Sequence, residues 1–344
     1  MFDTAIPTIN AAKKIVIIQG ENPDGDSLAS SLALEELLGS QGKDVVMYCA
    51  IDMPKYLRFL SGWDRVVNDF PYDAQAAIVV DTAAEALLEK TLATNGVRQF
   101  LESHSVVVLD HHGEEGDEEM QNDLSFPHEF VLSTTAAATG ELIYELVMAA
   151  GWPVTPDAAA RLYSSIAADT LGLTTESATA STYKTVAEIV ALGAKPYEIE
   201  SARRELMKKS ADILAYKGEL IGRIEYLLDG TLATVHIPWE DIQEYSDRYN
   251  PSVLVLDEMR LVEGVQVACA IKTYPDGKIT GKLRCNLPVA SAIAGYFGGG
   301  GHKYAAGFKV HESYDQIIRE LVTATEKCLR EYKNDTKTTQ HTNS

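Results

Sequence analysis

Four runs of consecutive apolar residues constrain the fold of this chain more than any other feature. They are KIVIIQ at residues 14–19, DVVMYC at 44–49, AAIVVD at 76–81 and HSVVVLD at 104–110. A strand with one wet face alternates apolar and polar side chains, whereas an unbroken run is buried on both faces. Runs of this kind, mostly separated by helical segments, predict an α/β fold: a parallel sheet with helices flanking both sides. The first helix is expected over 27–38, with Asp26 or Ser27 as its cap. In such a sheet ligands bind beyond the carboxyl ends of the strands.

The pattern then turns helical. Helices are expected over 134–150, over 156–168 with Thr155 as cap and Pro156 in the first turn, and over 179–192, ending at Gly193. Pro196 and the charged stretch 203–209 mark a linker. Beyond it TLATVHI (231–237), GVQVACAIKT (264–273) and KITGKLRC (278–285) read as strands, the last two joined by a Pro-Asp-Gly turn. A Gly-rich segment and a final helix over 314–332 follow. A chain of 344 residues is long for one core. The expected organisation is a first domain over 1–194, a linker over 195–212, a smaller α/β domain over 213–332 and a polar, disordered tail over 333–344.

Composition narrows the function. The formal net charge is −20, which excludes a non-specific duplex-DNA binder, since those are basic. A nucleic-acid ligand should be short, and gripped locally or through metal ions. Four scattered cysteines with no CxxC spacing read as reduced thiols, not as a disulfide frame or a zinc site. No secretory pattern and no apolar run of about 18 residues is present. A cytoplasmic protein without a membrane partner is expected.

Three strand ends carry acids. The first apolar run leads into Glu21, Asn22, Pro23, Asp24, Gly25 and Asp26; the third ends at Asp81; the fourth ends at Asp110, His111 and His112. Asp169 follows the helix RLYSSIAA, where the helix dipole disfavours an acid. An Asp-x-Asp pair with further carboxylates and a histidine suits Mn²⁺ or Mg²⁺ better than a thiolate-seeking metal. Two such ions about 3.5–4 Å apart can clamp a phosphoryl group for in-line attack. In that arrangement Asp81 bridges, Asp24 serves one ion and Asp26 the other, while Asp110 orients its neighbours. Each acid taken singly is more often a turn or cap residue; their gathering at one sheet edge is what points to a site. In the Gly-rich segment, Gly298 to Gly301 present backbone N–H groups suited to an anion, although a flexible turn would use the same residues.

These motifs resemble the DHH phosphoesterase superfamily. NPDGDSLASSLAL (22–34), VVDTA (79–83), LDHHG (109–113) and ADT with TAST (168–170, 179–182) carry the resemblance. FGGGGHKYAAGF (297–308) is similar to the signature of the DHH-associated substrate domain. The likeness spans residues 13–328. It implies a parallel-sheet DHH domain followed by that smaller domain, and it looks most like the branch that degrades very short RNA (nanoRNA, by oligoribonuclease action) and 3′-phosphoadenosine 5′-phosphate (pAp). The resemblance implies metal ligands at Asp24, Asp26, Asp81, His111 and Asp169, and a phosphate-contacting or acid role for His112, with Asp110 part of the same motif. It also implies substrate binding by Arg284, Gly299, Gly300, Gly301 and His302. Two Mn²⁺ ions are expected, with Mg²⁺ as a substitute, a short RNA or DNA oligonucleotide or small nucleotide as substrate, and a homodimer as one assembly.

One position departs from the pattern. The family's metal-binding His four residues before the first Asp is Gly20 here. Glu21 taking its place, a water filling it, and weak binding of that ion are three open outcomes. Gly20 motivates an alternative, a catalytically weak nucleotide sensor; breakdown of cyclic or linear dinucleotides is an enzymatic alternative. The acidic run within EEGDEEMQND after Gly113 reads as a solvated loop that repels long polyanions.

Overall fold

The computed structural model describes residues 1–113, 122–301 and 303–342, with side chains to residue 334. The chain divides into two units, residues 1–208 and 209–344. The break falls within 195–212, a stretch expected as linker that carries a helix of its own.

In the first unit the elements run α1 (Ala5–Ala11), β1 (Lys14–Gln19), α2 (Gly25–Gly39), β2 (Asp44–Tyr48), β3 (Ala76–Val80), α3 (Glu89–Ala93), α4 (Val97–Ser103), β4 (Ser105–Asp110), β5 (Glu129–Leu132), α5 (Thr139–Ala150), α6 (Pro156–Asp169), α7 (Ala180–Ala191) and α8 (Pro196–Leu206). The five strands are all parallel, in the order β2-β1-β3-β4-β5. This order reverses direction between β1 and β3, and in doubly wound sheets such a switch point opens a crevice at the strand ends.

The unbroken apolar runs have the predicted cause. Ile15 and Ile17 of β1 pack into a core shared with α2, α5 and α6. Val16 and Ile18 point the other way, into a core with Leu88, Phe100 and Leu101. Each such side chain contributes about 1.5–3 kcal/mol through burial. The fifth strand, EFVL, gave no sequence signal: it is a four-residue edge strand, mostly half-buried, and lacks the double-faced apolar run.

Two helix starts differ from expectation. Helix α2 begins at Gly25, capped by Asp24 rather than Asp26 or Ser27: the Asp24 carboxylate accepts from the N–H groups of Asp26 and Ser27, and the Ser27 hydroxyl completes a capping box. Helix α5 begins at Thr139, not 134, because Ala138 is extended and residues 136–138 form a buried, non-helical stretch ahead of it.

The second unit contains α9 (Ala211–Gly222), β6 (Glu225–Leu227), β7 (Leu232–Ile237), α10 (Trp239–Tyr245), α11 (Pro251–Arg260), β8 (Val267–Thr273), β9 (Ile279–Cys285), α12 (Ala290–Gly295), β10 (Gly300–Gly301), β11 (Ala305–Val310) and α13 (Tyr314–Thr342). Its sheet is mixed, in the order β10-β11-β9-β8-β7-β6, with β7 and β8 the parallel pair. Helices α12 and α13 cover one face, and α9, α10 and α11 the other. Residues 333–342 of the polar tail, expected to be disordered over 333–344, lie within α13, which meets no Gly or Pro before Thr342. Among the described residues no helix is long and apolar enough to cross a membrane.

Helices α2 and α6 approach closely at Gly25, where an added Cβ would lie 2.5 Å from the Cβ of Ala168. Gly25→Ala is expected to destabilise the first unit by about 1–3 kcal/mol, as overpacking does. Gly39→Ala, at an open position of the same helix, should stay within about 1 kcal/mol of the parent. Thermal unfolding of the two variants side by side checks the pair.

Candidate metal centre

The carboxyl ends of β1, β3 and β4 and the C-terminus of α6 bring their polar side chains to one place. His111 lies at its centre. Its Nδ1 is 3.3 Å from the carbonyl oxygen of Ala136, in the loop before α5, and donates to it. In the neutral ring that donation leaves the Nε2 lone pair available to a cation. That nitrogen is buried and has no hydrogen-bond partner. It faces three carboxylates: Asp26 Oδ2 at 3.5 Å, Asp81 Oδ1 at 3.6 Å and Asp169 Oδ2 at 3.6 Å.

A lone pair aimed at carboxylate oxygens is repelled by them unless a cation stands between. Donors about 2.1 Å from a shared small cation lie roughly 3.0–3.5 Å from one another, close to the separations here. The donor set is oxygen and imidazole nitrogen, which suits a hard-to-borderline divalent ion. A ring N–H donated to a backbone carbonyl is the usual way a metal-ligating histidine is held. The residues therefore fit a divalent cation. They form two overlapping donor groups, Asp26–His111–Asp169 and Asp81–His111–His112.

The electrostatics agree. Burial, then the Asp26, Asp24 and Asp110 carboxylates, push Asp81 well above the usual carboxylate range. Burial and Asp26 raise Asp169 to about 6. A centre this crowded with negative charge takes up positive charge, as protons or as a metal. His112 is raised to about 9, chiefly by its hydrogen bond to Asp110. The Asp110 Oδ1 accepts from His112 Nδ1 at 2.7 Å and from the backbone N–H groups of His111 and His112 at 2.8 and 3.2 Å. Asp110 is buried while the His112 side chain is 60% exposed, so the acid orients and the imidazole presents itself.

The backbone carries strain at Asp81, where φ is +63° in a non-glycine residue. A left-handed residue at a strand end costs about 1–2 kcal/mol and turns the side chain away from the strand direction. The Thr139 hydroxyl donates to Asp81 Oδ1 at 2.9 Å and holds it there.

Thr139, Ser30 and Ser165 were not read from the sequence. The Thr139 N–H donates to Asp26 Oδ2 at 2.8 Å, while Ser165 Oγ at 2.5 Å and Ser30 Oγ at 3.0 Å donate to Asp26 Oδ1. Ser165 Oγ also accepts from the Gly140 N–H at 2.8 Å, and an added Cβ at Gly140 would sit 2.0 Å from that oxygen. The available signal was weak: a Thr-Gly pair opening a helix, and serines on faces that are otherwise apolar.

Other expected residues lie apart from this convergence. Asp24 is exposed and spends Oδ1 on the α2 cap, although its charge still acts on Asp81 and Asp169. Glu21 is turned away: its Oε1 accepts from the N–H groups of Lys90 and Thr91 at the start of α3. A Cβ at Gly20 would meet only ordinary contacts, with Thr82 at 3.5 Å and Leu87 at 3.7 Å. In the second unit Arg284 is half-buried on β9, its Nη1 donating to the Leu283 carbonyl at 3.0 Å, and it lines a groove with Gly299, Gly300 and Gly301. His302 and the acidic residues 114–119 lie outside the described residues.

Residues 14–216 match the model of the DHH family, N-terminal domain. The chain belongs to the DHH family. Members of this family are metal-dependent, in keeping with the donor set above. The chain is 23% identical over 323 residues to the bifunctional oligoribonuclease and PAP phosphatase NrnA of Bacillus subtilis, covering 92% of this chain and 96% of that protein. It is 26% identical over 318 residues to the protein of the same name from Thermus thermophilus, covering 89% of each. Among solved structures, an exopolyphosphatase-related protein from Bacteroides fragilis superposes with a TM-score of 0.80 at 21% identity, over 98% of this chain and 97% of that one. This last likeness shows a shared fold.

The hydrogen bonds to Asp26 generate a prediction. Ser165→Ala should weaken divalent-metal binding about tenfold, the lower end for outer partners of metal ligands, read by calorimetric titration with Mn²⁺ and with Mg²⁺. Ser164→Ala, one position along and bonded to the Ala160 carbonyl instead, is the control and should leave the affinity unaltered.

Proposed function

We propose that this DHH protein is a metal-dependent phosphoesterase that hydrolyses short oligonucleotides and 3′-phosphoadenosine 5′-phosphate. The observation that carries the reading is the buried, unpartnered Nε2 of His111 facing three carboxylates at 3.5–3.6 Å. The names of the Bacillus and Thermus relatives, matched over nearly their whole length, supply the substrate class. The net charge of −20 favours a small substrate over a long polyanion.

Asp26, Asp81, His111 and Asp169 are the residues that would hold the ion, with Asp24 at the rim, and Mn²⁺ is the metal we favour over Mg²⁺. When bound, the metal supplies Lewis acidity and positive charge at the phosphoryl group. Thr139, Ser30 and Ser165 fix the two central carboxylates. Asp110 holds the Nδ1 proton of His112, and the resulting positive imidazole offsets charge added to a phosphoryl oxygen at neutral pH. Arg284 and the backbone of Gly299 to Gly301 are the proposed substrate-phosphate holders in the second unit, together with His302.

Gly20 favours a second reading, a nucleotide-binding protein of low turnover. The position that would complete a second ion site offers no donor atom, and Glu21 Oε1 and Asp24 Oδ1 each accept from backbone N–H groups. The two readings separate in one assay: Mn²⁺-dependent release of mononucleotide from a labelled RNA dinucleotide, run beside 3′-phosphoadenosine 5′-phosphate. Turnover is expected, and Asp81→Asn should lower it by more than about a hundredfold. A folded protein that binds nucleotide and turns over neither substrate would establish the sensor. Gly20→His should raise bound Mn²⁺ from about one to about two ions per chain, read by elemental analysis after desalting.

A further inference from the structure

The TAST segment at 179–182 opens α7, and the metal centre as described makes no use of it. Its Thr182 is buried, and so is Glu141 in the first turn of α5, which is 2% exposed. The Thr182 hydroxyl donates to Glu141 Oε2 at 3.1 Å, and the same oxygen accepts from the Ala137 N–H at 2.9 Å. The Ala137 N–H and the Ala136 carbonyl belong to one peptide group. That carbonyl is the acceptor that holds His111 Nδ1 at 3.3 Å. The peptide is trans, so its N–H and C=O point in opposite directions. Glu141 grips one end of it and His111 the other.

The direction of this peptide decides where the His111 proton sits. A carboxylate accepts hydrogen bonds and does not donate them, so the peptide must turn its N–H to Glu141 and its carbonyl to His111. The ring then keeps its proton on Nδ1. Turned over, the peptide would offer His111 an N–H instead, and the ring proton would move to Nε2. It would then point at Asp26, Asp81 and Asp169, where a cation would otherwise bind. The bond to a carboxylate is also stronger than one to a neutral acceptor, and it polarises the peptide so that its carbonyl accepts more strongly. A ring N–H that is firmly accepted makes the opposite nitrogen a better metal donor. Glu141 has an ordinary role as well: it reaches back to a backbone N–H at the start of α5, where Ala138 offers no side-chain cap.

We propose that Glu141 is a positioning residue for the metal centre, acting on His111 through the Ala136–Ala137 peptide, with Thr182 holding Glu141 from α7. The arrangement is a carboxylate–histidine pair with a peptide between its two members. It gives the TAST segment a task, that of steadying the carboxylate behind His111. This inference rests on the metal reading of the centre.

The test uses the full-length chain with ¹⁵N-labelled histidines, the His111 signals being identified by their absence from His111→Asn. In the metal-free protein the ring nitrogen shifts report which nitrogen carries the proton. Glu141→Met fills much the same space and offers no oxygen. It is expected to move His111 from the Nδ1–H form towards the Nε2–H form and to lower Mn²⁺ affinity about ten- to a hundredfold, read by calorimetry. Glu141→Gln keeps an acceptor oxygen for both donors and should restore the tautomer and most of the affinity. Thr182→Val should move both readings in the direction of Glu141→Met, and by less. A Glu141→Met protein of lower thermal midpoint but with the parent's tautomer and affinity overturns the proposal and leaves Glu141 a helix-end residue only. Should that variant not fold, Thr182→Val decides, and a parent-like tautomer and affinity there overturn the proposal. A parent that binds no Mn²⁺ sinks the metal reading, while the metal-free tautomer still reports on Glu141.

Discussion

The metal centre of the first unit is built around one contact, the His111 Nε2 buried against three carboxylates. Everything around His111 serves to hold it. The Ala136 carbonyl fixes the tautomer, Thr139 fixes Asp26 and Asp81 together, and Ser165 ties Asp26 to α5 and α6. Left to themselves these groups would protonate or move apart. The sheet prevents the second, because β1, β3 and β4 are locked in parallel register between two apolar cores. A divalent cation removes the conflict, and so the apolar framework stores a preference for metal.

Residues that serve the centre also serve the fold. Asp24 was expected as a metal ligand and acts as the cap of α2; the two roles use the same carboxylate, and the cap occupies one of its oxygens. Glu21 satisfies the N-terminus of α3. With Gly20 contributing no donor, the outer side of the centre is thin in ligands, while the inner side, around Asp26 and His111, is densely supported. The asymmetry follows from burial: inner carboxylates must be hydrogen-bonded to stay in place, whereas outer ones are solvated.

The second unit answers a different problem with the same economy. Its sheet is mixed: β7 and β8 are buried along most of their length, while β9 alternates, as in ITGKLRC with its inward Ile279, Leu283 and Cys285. Alternation frees Lys282 and Arg284 for the groove lined by Gly299 to Gly301.

Much of this was legible in the sequence. The four apolar runs pointed to a buried parallel sheet because strands alternating with helices are covered on both faces, and the acids at their ends marked the edge where a ligand binds. Asp81, His111 and Asp169 could be named because each stands at or just after the readable end of an element, and Asp26 as the second acid of the Asp-x-Asp pair after the first run; their joint role as ligands came from the resemblance. Strand β5 and the late start of α5 could not be read, since a short edge strand and a buried loop carry no periodicity. Thr139, Ser30 and Ser165 were equally hidden: serine and threonine are common everywhere, and only the packing of α2 against α5 and α6 gives these three a carboxylate to hold. The sequence by itself determined which groups end on one sheet edge, because a parallel sheet puts the carboxyl ends of all its strands on the same side. Only the tertiary structure decided which carboxylate faces His111 and which one caps a helix. Those choices depend on backbone angles and inter-element distances that no local pattern encodes.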